Sequence, residues 1–563
     1  MSACRALSIT NSVAHSVLYV VVLGFFGARD LAVAQTASVT RAATPSSGYR
    51  IAGTIVSKAD GHPLPRARVT VRDARDPQKL ESIVTSEDGK FEFNNVPAGK
   101  YSLAGAKRGF ISAAYDQHDQ YFTAIVTGAG LDTETLLLRL APDAVITGKV
   151  LDEVGEPVRH ASVMLYYDDH ASGIDQIQQV RGTQTDDRGA YEFTPLRPGI
   201  YFLSATAKPW YAVHPASEGE DQSATARSPD RTLDVAYPVT YYPDATEAES
   251  AAPISVQGGE RVQAEVHLNP VPSLRLRFRV PGAGTNGFQV PQIRQSAFDG
   301  STFVQNDGAR LVSPGVIEVT GIPAGRYNVR LDSGAGSGIQ MNGVELAKDG
   351  EEVDTAYGEA LSSVKVSVKI PDEPAPPSRL GVGLRSSHRV FTAGQQVDAK
   401  GEAEFRQIAP GRYEVVVWGA GKAYTVAHMS AEGAEVSGHT LTVAAGSNPS
   451  LSLTLVAGSA EVQGLAQRAG KAFAGAMIVL VPKHPESNLD LFRRDQSDLD
   501  GTFTFHGVVP GPYMIVAIEN GWDLDWSQPN VIAAYAKHER AIQVANQNGR
   551  AMNIAEPVEV QAK

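Results

Sequence analysis

One fourteen-residue motif recurs five times along this chain of 563 residues. Each copy has a glycine, a second glycine ten residues later and a tyrosine two residues beyond that, with a proline one or two residues before the second glycine. Repetition of this kind predicts one structural unit built several times in series. The copies are DGKFEFNNVPAGKY (88–101), RGAYEFTPLRPGIY (188–201), PGVIEVTGIPAGRY (314–327), KGEAEFRQIAPGRY (400–413) and DGTFTFHGVVPGPY (500–513).

The chemistry of the motif predicts β-structure. The first glycine can adopt a positive φ without a steric penalty, which suits a tight turn. Alternating apolar residues such as Phe91 and Phe93 then place one face of a strand inward. We interpret the motif as a strand–turn–strand hairpin with one buried face. Because the tyrosine repeats at one structural position, we expect it to pack its ring and bond to nearby backbone. These tyrosines are Tyr101, Tyr201, Tyr327, Tyr413 and Tyr513.

A second shared element lies upstream of the motif in copies one, two and five. It reads as strand, glycine-containing turn and strand, for example IAGTIVSKADGHPLPRARVTV from Ile51. Copies three and four keep only its first strand. Each module then has about seven short strands, which predicts an all-β chain of about five tandem antiparallel Greek-key β-sandwiches. The predicted modules are 49–142, 143–271 with a flexible insertion near 213–234, 272–361, 362–457 and 458–563.

Together these elements resemble the carboxypeptidase regulatory-like domain. The pattern G-x-V…G-x-P…A-x-V followed by T-D-x-x-G-x-[FY]-x-F…P-x-G-x-Y carries the resemblance. It is strongest at 49–112 and 144–206, good at 458–518, and partial at 273–332 and 363–418. The resemblance implies a transthyretin-like (prealbumin-like) sandwich, grouped with carbohydrate-binding-like folds, and less directly a carbohydrate ligand. The chain is similar to bacterial exported proteins built from tandem copies of this domain.

The N-terminus predicts export. Residues 13–28 are apolar, Arg5 precedes them, and the small residues at 32–34 suit a signal peptidase. We expect cleavage of residues 1–34, a solvated leader at 35–48, and a location in the periplasm, on the outer cell surface or outside the cell. The alternative is an uncleaved anchor, but the clean apolar stretch is short of the ~18–20 residues that a membrane span needs. We expect no membrane span after cleavage.

Composition excludes several classes of protein. Cys4 is the only cysteine and would leave with the signal peptide, so disulfides and thiolate metal sites are not expected. Asp and Glu number 62 against 50 Lys and Arg, which disfavours nucleic-acid binding. We find no zinc-protease, nucleophile-elbow or Walker motif, and therefore expect no enzyme, cofactor or metal. The acidic segment 495–501 suggests calcium, but we interpret it as a turn.

Aromatic residues outside the repeat are the candidates for ligand binding, because repetition does not account for them. Exposed rings with Asp, Gln and His hydrogen bonders are typical of sugar-binding surfaces. The candidate residues are Tyr115, His118, Asp119, Tyr121, Trp210 and Tyr211.

The same loop aromatics have two other interpretations. They could pack between modules, and the same two alternatives, ligand binding or packing, apply to Trp522 and Trp526. A metal bound by His118 with Asp116 and Asp119 is the weaker alternative.

Sequence alone therefore favours an exported, non-enzymatic, multi-module protein that binds a polysaccharide or cell-surface polymer through loop aromatics. Several modules in series could multiply a modest affinity. The alternative is a structural spacer or adhesin-type stalk of the cell envelope, with modules arranged end to end. A hydrolase with an unrecognised site is the third hypothesis.

Overall fold

The computed structural model is built almost entirely of β-strands. The predicted signal peptide, Cys4, most of the leader and the centre of the predicted insertion lie outside the described residues. The structure describes residues 48–128, 130–214, 230–280, 290–333, 337–371, 373, 375–386, 391–419, 423–458, 460–538, 540–545 and 550–563.

Residues 48–563 form one compact unit that contains five successive hydrophobic cores. Each core draws its buried members from one continuous stretch of chain, which we call the first to fifth modules. Each of the first four cores lies between two β-sheets, and the fifth lies inside one nine-stranded sheet whose two halves are joined by the last strand of the chain, so the predicted all-β fold of tandem sandwiches is confirmed. The buried members of the cores lie within residues 51–140, 144–268, 274–353, 364–455 and 460–560.

The first module has eight strands. One sheet has the order β4-β1-β8, and the other has the order β3-β2-β5-β6 with β7 also beside β5. Alternation places Ile55 and Phe93 of one sheet against Val69 and Leu103 of the other. The strands are β1 (Tyr49–Ser57), β2 (Arg68–Asp73), β3 (Leu80–Val84), β4 (Lys90–Val96), β5 (Gly99–Ala106), β6 (Ala113–Ala114), β7 (Ile125–Thr127) and β8 (Leu136–Leu140).

The second module repeats this plan. Its strands are β9 (Ala144–Leu151), β10 (Ser162–Asp169), β11 (Gln176–Gln184), β12 (Ala190–Leu196), β13 (Gly199–Thr206), β14 (Val235–Ala236), β15 (Thr240–Tyr241), β16 (Ile254–Val256), β17 (Arg261–Gln263) and β18 (Val266–His267). Short 3₁₀ turns occur at Arg231–Leu233 and Ala248–Ser250. One strand crosses the module boundary, since β14 pairs with the first strand of the third module, at Pro272 and Val271.

The third and fourth modules keep two sheets each. The third contains β19 (Val271–Arg279), β20 (Gln292–Ala297), β21 (Gly300–Phe303), β22 (Ala309–Ser313), β23 (Val316–Pro323), β24 (Gly325–Ser333), β25 (Ser337–Leu346), β26 (Glu351–Val353) and β27 (Glu359–Ala360), with a 3₁₀ turn at Thr355–Tyr357. The fourth contains β28 (Ser362–Lys369), β29 (Gly381–Ser386), β30 (Phe391–Gln396), β31 (Glu402–Ile408), β32 (Gly411–Trp418), β33 (Ala423–Glu432), β34 (Glu435–Ser437), β35 (Thr440–Val443) and β36 (Ser450–Gly458).

The fifth module carries the only α-helical turn among the described residues. Its strands are β37 (Ala460–Arg468), β38 (Lys471–Ala472), β39 (Met477–Pro482), β40 (Arg493–Gln496), β41 (Thr502–Val508), β42 (Gly511–Glu519), β43 (Arg540–Val544), β44 (Ala551–Asn553) and β45 (Val558–Ala562). Its helical segments are α1 (Pro529–Ile532) and 3₁₀ turns at Pro485–Ser487, Leu489–Leu491, Gly521–Asp523 and Ala533–His538. No helix in the described part of the chain has the length and apolar character needed to cross a membrane.

The hairpin interpretation of the repeated motif is wrong. In the first module β4 pairs with β1, whereas β5 pairs with β2, so the two strands of the motif lie in opposite sheets. The proline–glycine turn therefore carries the chain across the core. A hairpin and two strands in opposite sheets need the same alternation and the same turn, so the local sequence pattern does not distinguish them. The two arrangements differ only in the strands with which β4 and β5 pair.

Each sandwich is antiparallel except for parallel pairing of its first strand and, in the fifth module, of β42 with β45. In the first module β1 pairs in parallel with β8, and β28 pairs in the same way with β36 in the fourth. The other modules do the same through β9 with β17 and β18, β19 with β26, and β37 with β44 and β45. The last strands thus close the edge of the sheet that the first strand would otherwise leave unpaired.

The predicted roles of the repeated glycine and tyrosine are confirmed. The first glycine has a positive φ in all five copies, at +71°, +69°, +79°, +86° and +78° along the chain. All five tyrosines are buried. In four of them the hydroxyl donates to the backbone carbonyl four residues earlier, as Tyr327 does to Pro323 at 2.8 Å. The hydroxyl thus fixes the turn that joins the two sheets.

Tyr327→Phe tests this role. The substitution keeps the ring but leaves the buried Pro323 carbonyl without its donor, so we expect a loss of about 1–2 kcal/mol in the stability of the third module. Hydrogen exchange at the most protected third-module amides measures it. Tyr357→Phe is the matched control, because Tyr357 is 86% exposed. Equal effects of the two substitutions would contradict the assigned role.

Candidate functional site

The fifth module packs against the first through the loop that contains the predicted ligand residues. The ring of His118 stacks on Trp522, with centroids 4.5 Å apart and planes 4° from parallel. Tyr121 lies beside the same indole, at 6.4 Å. A backbone hydrogen bond from His118 N to Tyr121 O, 2.8 Å long, holds the two rings on one tight loop. The loop aromatics therefore form a contact between modules far apart in sequence.

Arg494 of β40 is the centre of this contact. Its side chain is only 1% exposed and forms a 2.9 Å ion pair with Asp119. The guanidinium carbon lies 4.8, 5.4 and 4.9 Å from the ring centroids of Tyr121, Trp522 and Trp526. Such cation–π contacts gain strength when the cation is shielded from water.

The second module joins the same contact. Nη2 of Arg494 also donates to the backbone oxygen of Ala171, at 3.3 Å. The Ser527 amide donates to the Gly173 carbonyl at 3.1 Å. Loops of the first and second modules thus converge on the fifth, and we call this region the three-module junction.

A second set of polar contacts ties the first and fifth modules together. Lys100 Nζ lies 2.5 Å from one carboxylate oxygen of Asp498 and 2.7 Å from the hydroxyl of Thr502. The other oxygen of Asp498 accepts from the Ala124 amide at 3.0 Å, and the Leu499 amide donates to the Ala124 carbonyl at 3.0 Å. Both carboxylate oxygens of Asp498 are therefore engaged by the first module.

An open cleft of about 790 Å³ lies beside the junction. Its walls come from Lys58, which follows β1, from β8 and the 111–119 loop of the first module, and from Tyr167 and the turn after β12 of the second. Ala474 supplies the edge that belongs to the fifth module. The lining residues are Lys58, Ile111, Ser112, Ala113, Ala114, Tyr115, Asp116, Gln117, His118, Asp119, Thr123, Leu137, Arg139, Ala141, Tyr167, Arg197, Pro198 and Ala474.

The structure divides the six predicted ligand residues into two groups. Tyr115, His118 and Asp119 line the cleft, and Tyr121 lies behind them at the junction. His118 and Tyr121 pack between modules, since both rings contact Trp522 of the fifth module.

Trp210 and Tyr211 are not among the lining residues of the cleft. Trp210 is 83% exposed and meets the ring of Tyr211 edge-on, with centroids 5.7 Å apart. Tyr211 donates its hydroxyl to the carboxylate of Glu153, which also accepts from Tyr237 at 2.8 Å. These two aromatics form a separate exposed patch on the second module.

Burial changes the acidity of the two tyrosines in the cleft. It raises the pKa of Tyr115, and the negative charge of Asp116 adds to the rise while the charge of Arg139 opposes it. Burial likewise raises the pKa of Tyr167, against the charge of Arg197. Both phenols are therefore neutral hydrogen bonders at physiological pH.

A cluster that the sequence interpretation missed could hold a divalent cation. One ligand atom from each of Asp168, His170 and Asp175 lies within 4.8 Å of the others. Burial and the neighbouring Asp175 raise the pKa of Asp168 to about 6, and His170 Nδ1 lies 3.2 Å from Asp525 of the fifth module. The spacing Asp-x-His-x4-Asp was the available signal. The alternative set at His118 is less suitable, because Asp119 is already paired with Arg494.

Comparison with known proteins identifies the class of the first two modules. Residues 50–131 and 145–226 match the sequence profile of the carboxypeptidase regulatory-like domain. The chain thus contains this domain twice in tandem, as its motifs predicted. The resemblance of the other three modules stays a prediction. No curated protein matches the sequence significantly.

Solved structures with tandem β-domains are remotely similar. The Bacillus anthracis TIE protein is 11% identical over 72% of this chain and 73% of its own, with a TM-score of 0.17. A streptococcal ancillary pilin is 14% identical over 54% and 98%, with a TM-score of 0.20. Two B repeat units of the Staphylococcus aureus collagen-binding protein are 12% identical over 72% and 99%, with a TM-score of 0.13. Similarity this remote carries no argument about function.

Arg494→Ala tests the three-module junction. Loss of the buried cation leaves Asp119 unpaired and removes three ring contacts, so we expect the fifth module to separate more readily from the first. Exchange of the Leu499 amide, whose acceptor is in the first module, should accelerate at least tenfold.

The controls for Arg494→Ala separate docking from folding. Asp119→Asn weakens the same contact from the first module and should act in the same direction. Arg468→Ala, which removes a half-exposed pair with Glu519 within the fifth module, should leave the exchange of the Leu499 amide unchanged. Unchanged exchange in both junction variants would contradict the account.

Asp495→Asn tests the electrostatics of β40. Burial raises the pKa of Asp495 to about 6, although the Thr504 amide, its 2.7 Å donor, acts in the opposite direction. Because this pKa lies above its unfolded value, the native state loses stability as pH rises from about 4 through 6. Asparagine does not ionise and can still accept from Thr504. We therefore expect a gain of about 1–3 kcal/mol at pH 7.5 and almost none at pH 4.

Tryptophan fluorescence during denaturant unfolding follows this effect, because Trp522 and Trp526 lie in the fifth module. The exposed turn residue Asp187, substituted by Asn, serves as the control. A gain that does not depend on pH would contradict the assignment.

Proposed function

We propose that this protein is an exported, non-catalytic binding protein that holds a surface polymer, carbohydrate in the first place, in the cleft beside the three-module junction. The observation that carries the proposal is one open cleft of about 790 Å³ that is lined by the predicted ligand residue Tyr115 together with Tyr167 and Ser112. Ligand sites in proteins commonly measure roughly 300–1,000 Å³.

The chemistry of the lining suits a sugar. Tyr115 and Tyr167 supply ring faces for the apolar faces of pyranose units. Ser112 adds a hydroxyl that can both donate and accept hydrogen bonds, and the Gln117 amide, which already bonds to Ala114 N and Asp119 O, has a second N–H to donate. The open form of the cleft suits a chain that continues past the site. The non-catalytic part of the proposal rests on the missing catalytic motifs and on the regulatory-like class of the first two modules.

A structural spacer or adhesin-type stalk is the second candidate. The series of five sandwiches supports it. The contact of the fifth module with the first and second shortens the distance that such a chain could bridge, and for this reason we place polymer binding first.

Ser112→Trp tests the proposed site. Ser112 is exposed on the cleft wall, so a large side chain there should occupy the cleft without disturbing a core. On a broad glycan array probed with residues 35–563, we expect selective binding that weakens at least tenfold in the variant. Trp210→Ala, which removes the exposed aromatic of the separate patch, should leave binding unchanged.

Two results would contradict this proposal. Loss of binding only in Trp210→Ala would place the site on the exposed patch of the second module. An array on which the unmodified protein binds nothing would favour the spacer.

A further inference from the structure

Three cations line the cleft although the chain as a whole has a formal net charge of −12. Lys58 directly follows β1, and Arg139 lies on β8, the parallel neighbour of β1. Arg197 comes from the turn after β12 of the second module. Positive charge is thus gathered from two modules onto one concave surface of an acidic protein.

None of these three side chains forms an ion pair or a hydrogen bond with any residue that the structure describes. Most arginines in the described part of the chain do have such a partner, as Arg494 and Arg275 show. The side chains of Lys58, Arg139 and Arg197 are exposed, so they keep their charge and can reach a ligand.

The acidic groups of the lining are engaged elsewhere. Asp119 is paired with Arg494 at 2.9 Å. Asp116 accepts a hydrogen bond from the hydroxyl of Thr123 at 3.2 Å and another from the amide of Gln496 at 3.4 Å. The charge of Asp119 is therefore neutralised by Arg494, whereas Asp116 keeps its charge, and three free cations against one unpaired carboxylate leave an excess of positive charge in the cleft.

The two arginines act near the two aromatic rings of the cleft. The charge of Arg139 acts to lower the pKa of Tyr115, and the charge of Arg197 acts to lower the pKa of Tyr167, so each guanidinium lies near one phenol. Each ring is thus accompanied by a planar donor that can bind an acid group in a bidentate manner. A ring beside a guanidinium suits a sugar unit that carries a carboxylate or a sulfate.

We propose that the cleft binds an anionic polysaccharide, with Arg139 and Arg197 pairing with acid groups on successive sugars and Lys58 adding a third positive contact. This inference rests on the proposed function, because it names the class of polymer for the same site. Attraction to acid groups is screened by salt, so binding weakens as ionic strength rises.

The test compares glycans that differ only in their acid groups. Isothermal titration of residues 35–563 uses polygalacturonate as the carboxylate arm, dextran sulfate as the sulfate arm, and dextran of the same length as the neutral arm. We expect at least one acidic arm to bind ten times or more tightly than dextran. Its affinity should fall at least fivefold between 50 and 300 mM NaCl. The two acidic arms show which acid group is preferred.

The variant Arg139→Gln with Arg197→Gln should lose at least tenfold in affinity for the acidic glycan. The matched control is Arg159→Gln with Arg412→Gln, which removes the same charge from exposed positions outside the cleft lining and should lose less than twofold. Unchanged circular dichroism shows that both variants are folded.

Four outcomes would overturn the inference. Equal losses of affinity in the two double variants would mean that any surface cation attracts the glycan. Affinity for polyglutamate equal to that for the acidic glycan would mean that the cleft recognises negative charge alone. Tight binding of dextran with no preference for acid groups would refute the anionic class while the proposed polymer-binding function survives. Absence of binding to every glycan, acidic or neutral, would refute both.

Discussion

A single buried guanidinium, that of Arg494, connects three of the five modules. A charge removed from water is costly unless it is well compensated, and here one carboxylate, one backbone carbonyl and three aromatic rings provide the compensation. Nε and Nη1 of the same group have no hydrogen-bond partner, so the rings carry an unusual share of the stabilisation. All of these groups must meet for the cation to be stable, which makes docking of the fifth module specific.

The proposed binding site depends on that docking. The same loop that presents His118 and Asp119 to the fifth module presents Tyr115 to the cleft, and Ala474 of the fifth module forms part of the wall. The junction also withdraws Asp119 from the ligand by pairing it with Arg494. A composite site of this kind does not exist in any isolated module. Five copies of one simple sandwich thus acquire a specific surface through contacts that only non-repeated residues make.

The sequence was informative where the structure is repeated. The five glycines with positive φ and the buried tyrosines follow from local chemistry that acts within a few residues, so both could be predicted. The hairpin interpretation failed because strand alternation does not reveal which strand is the partner, and β4 and β5 join opposite sheets.

The site was harder to predict for a related reason. Composition singled out Tyr115, His118 and Asp119, but Arg494 lies 375 residues from Asp119 and no local pattern joins them. Lys58, Arg139 and Arg197 are single charges on separate strands and turns, and only the fold brings them to one cleft.

Disulfide trapping between the first and fifth modules tests the central claim most directly. Ala124→Cys and Leu499→Cys would be introduced together with Cys4→Ser, because the Leu499 amide donates to the Ala124 carbonyl at 3.0 Å and backbones this close can be bridged. The account predicts rapid, complete intramolecular disulfide formation under mild oxidation. A control pair that joins Ala124→Cys to Ser452→Cys of the fourth module should stay reduced. Equally slow oxidation of both pairs, or disulfides only between molecules, would contradict the docking of the fifth module on the first.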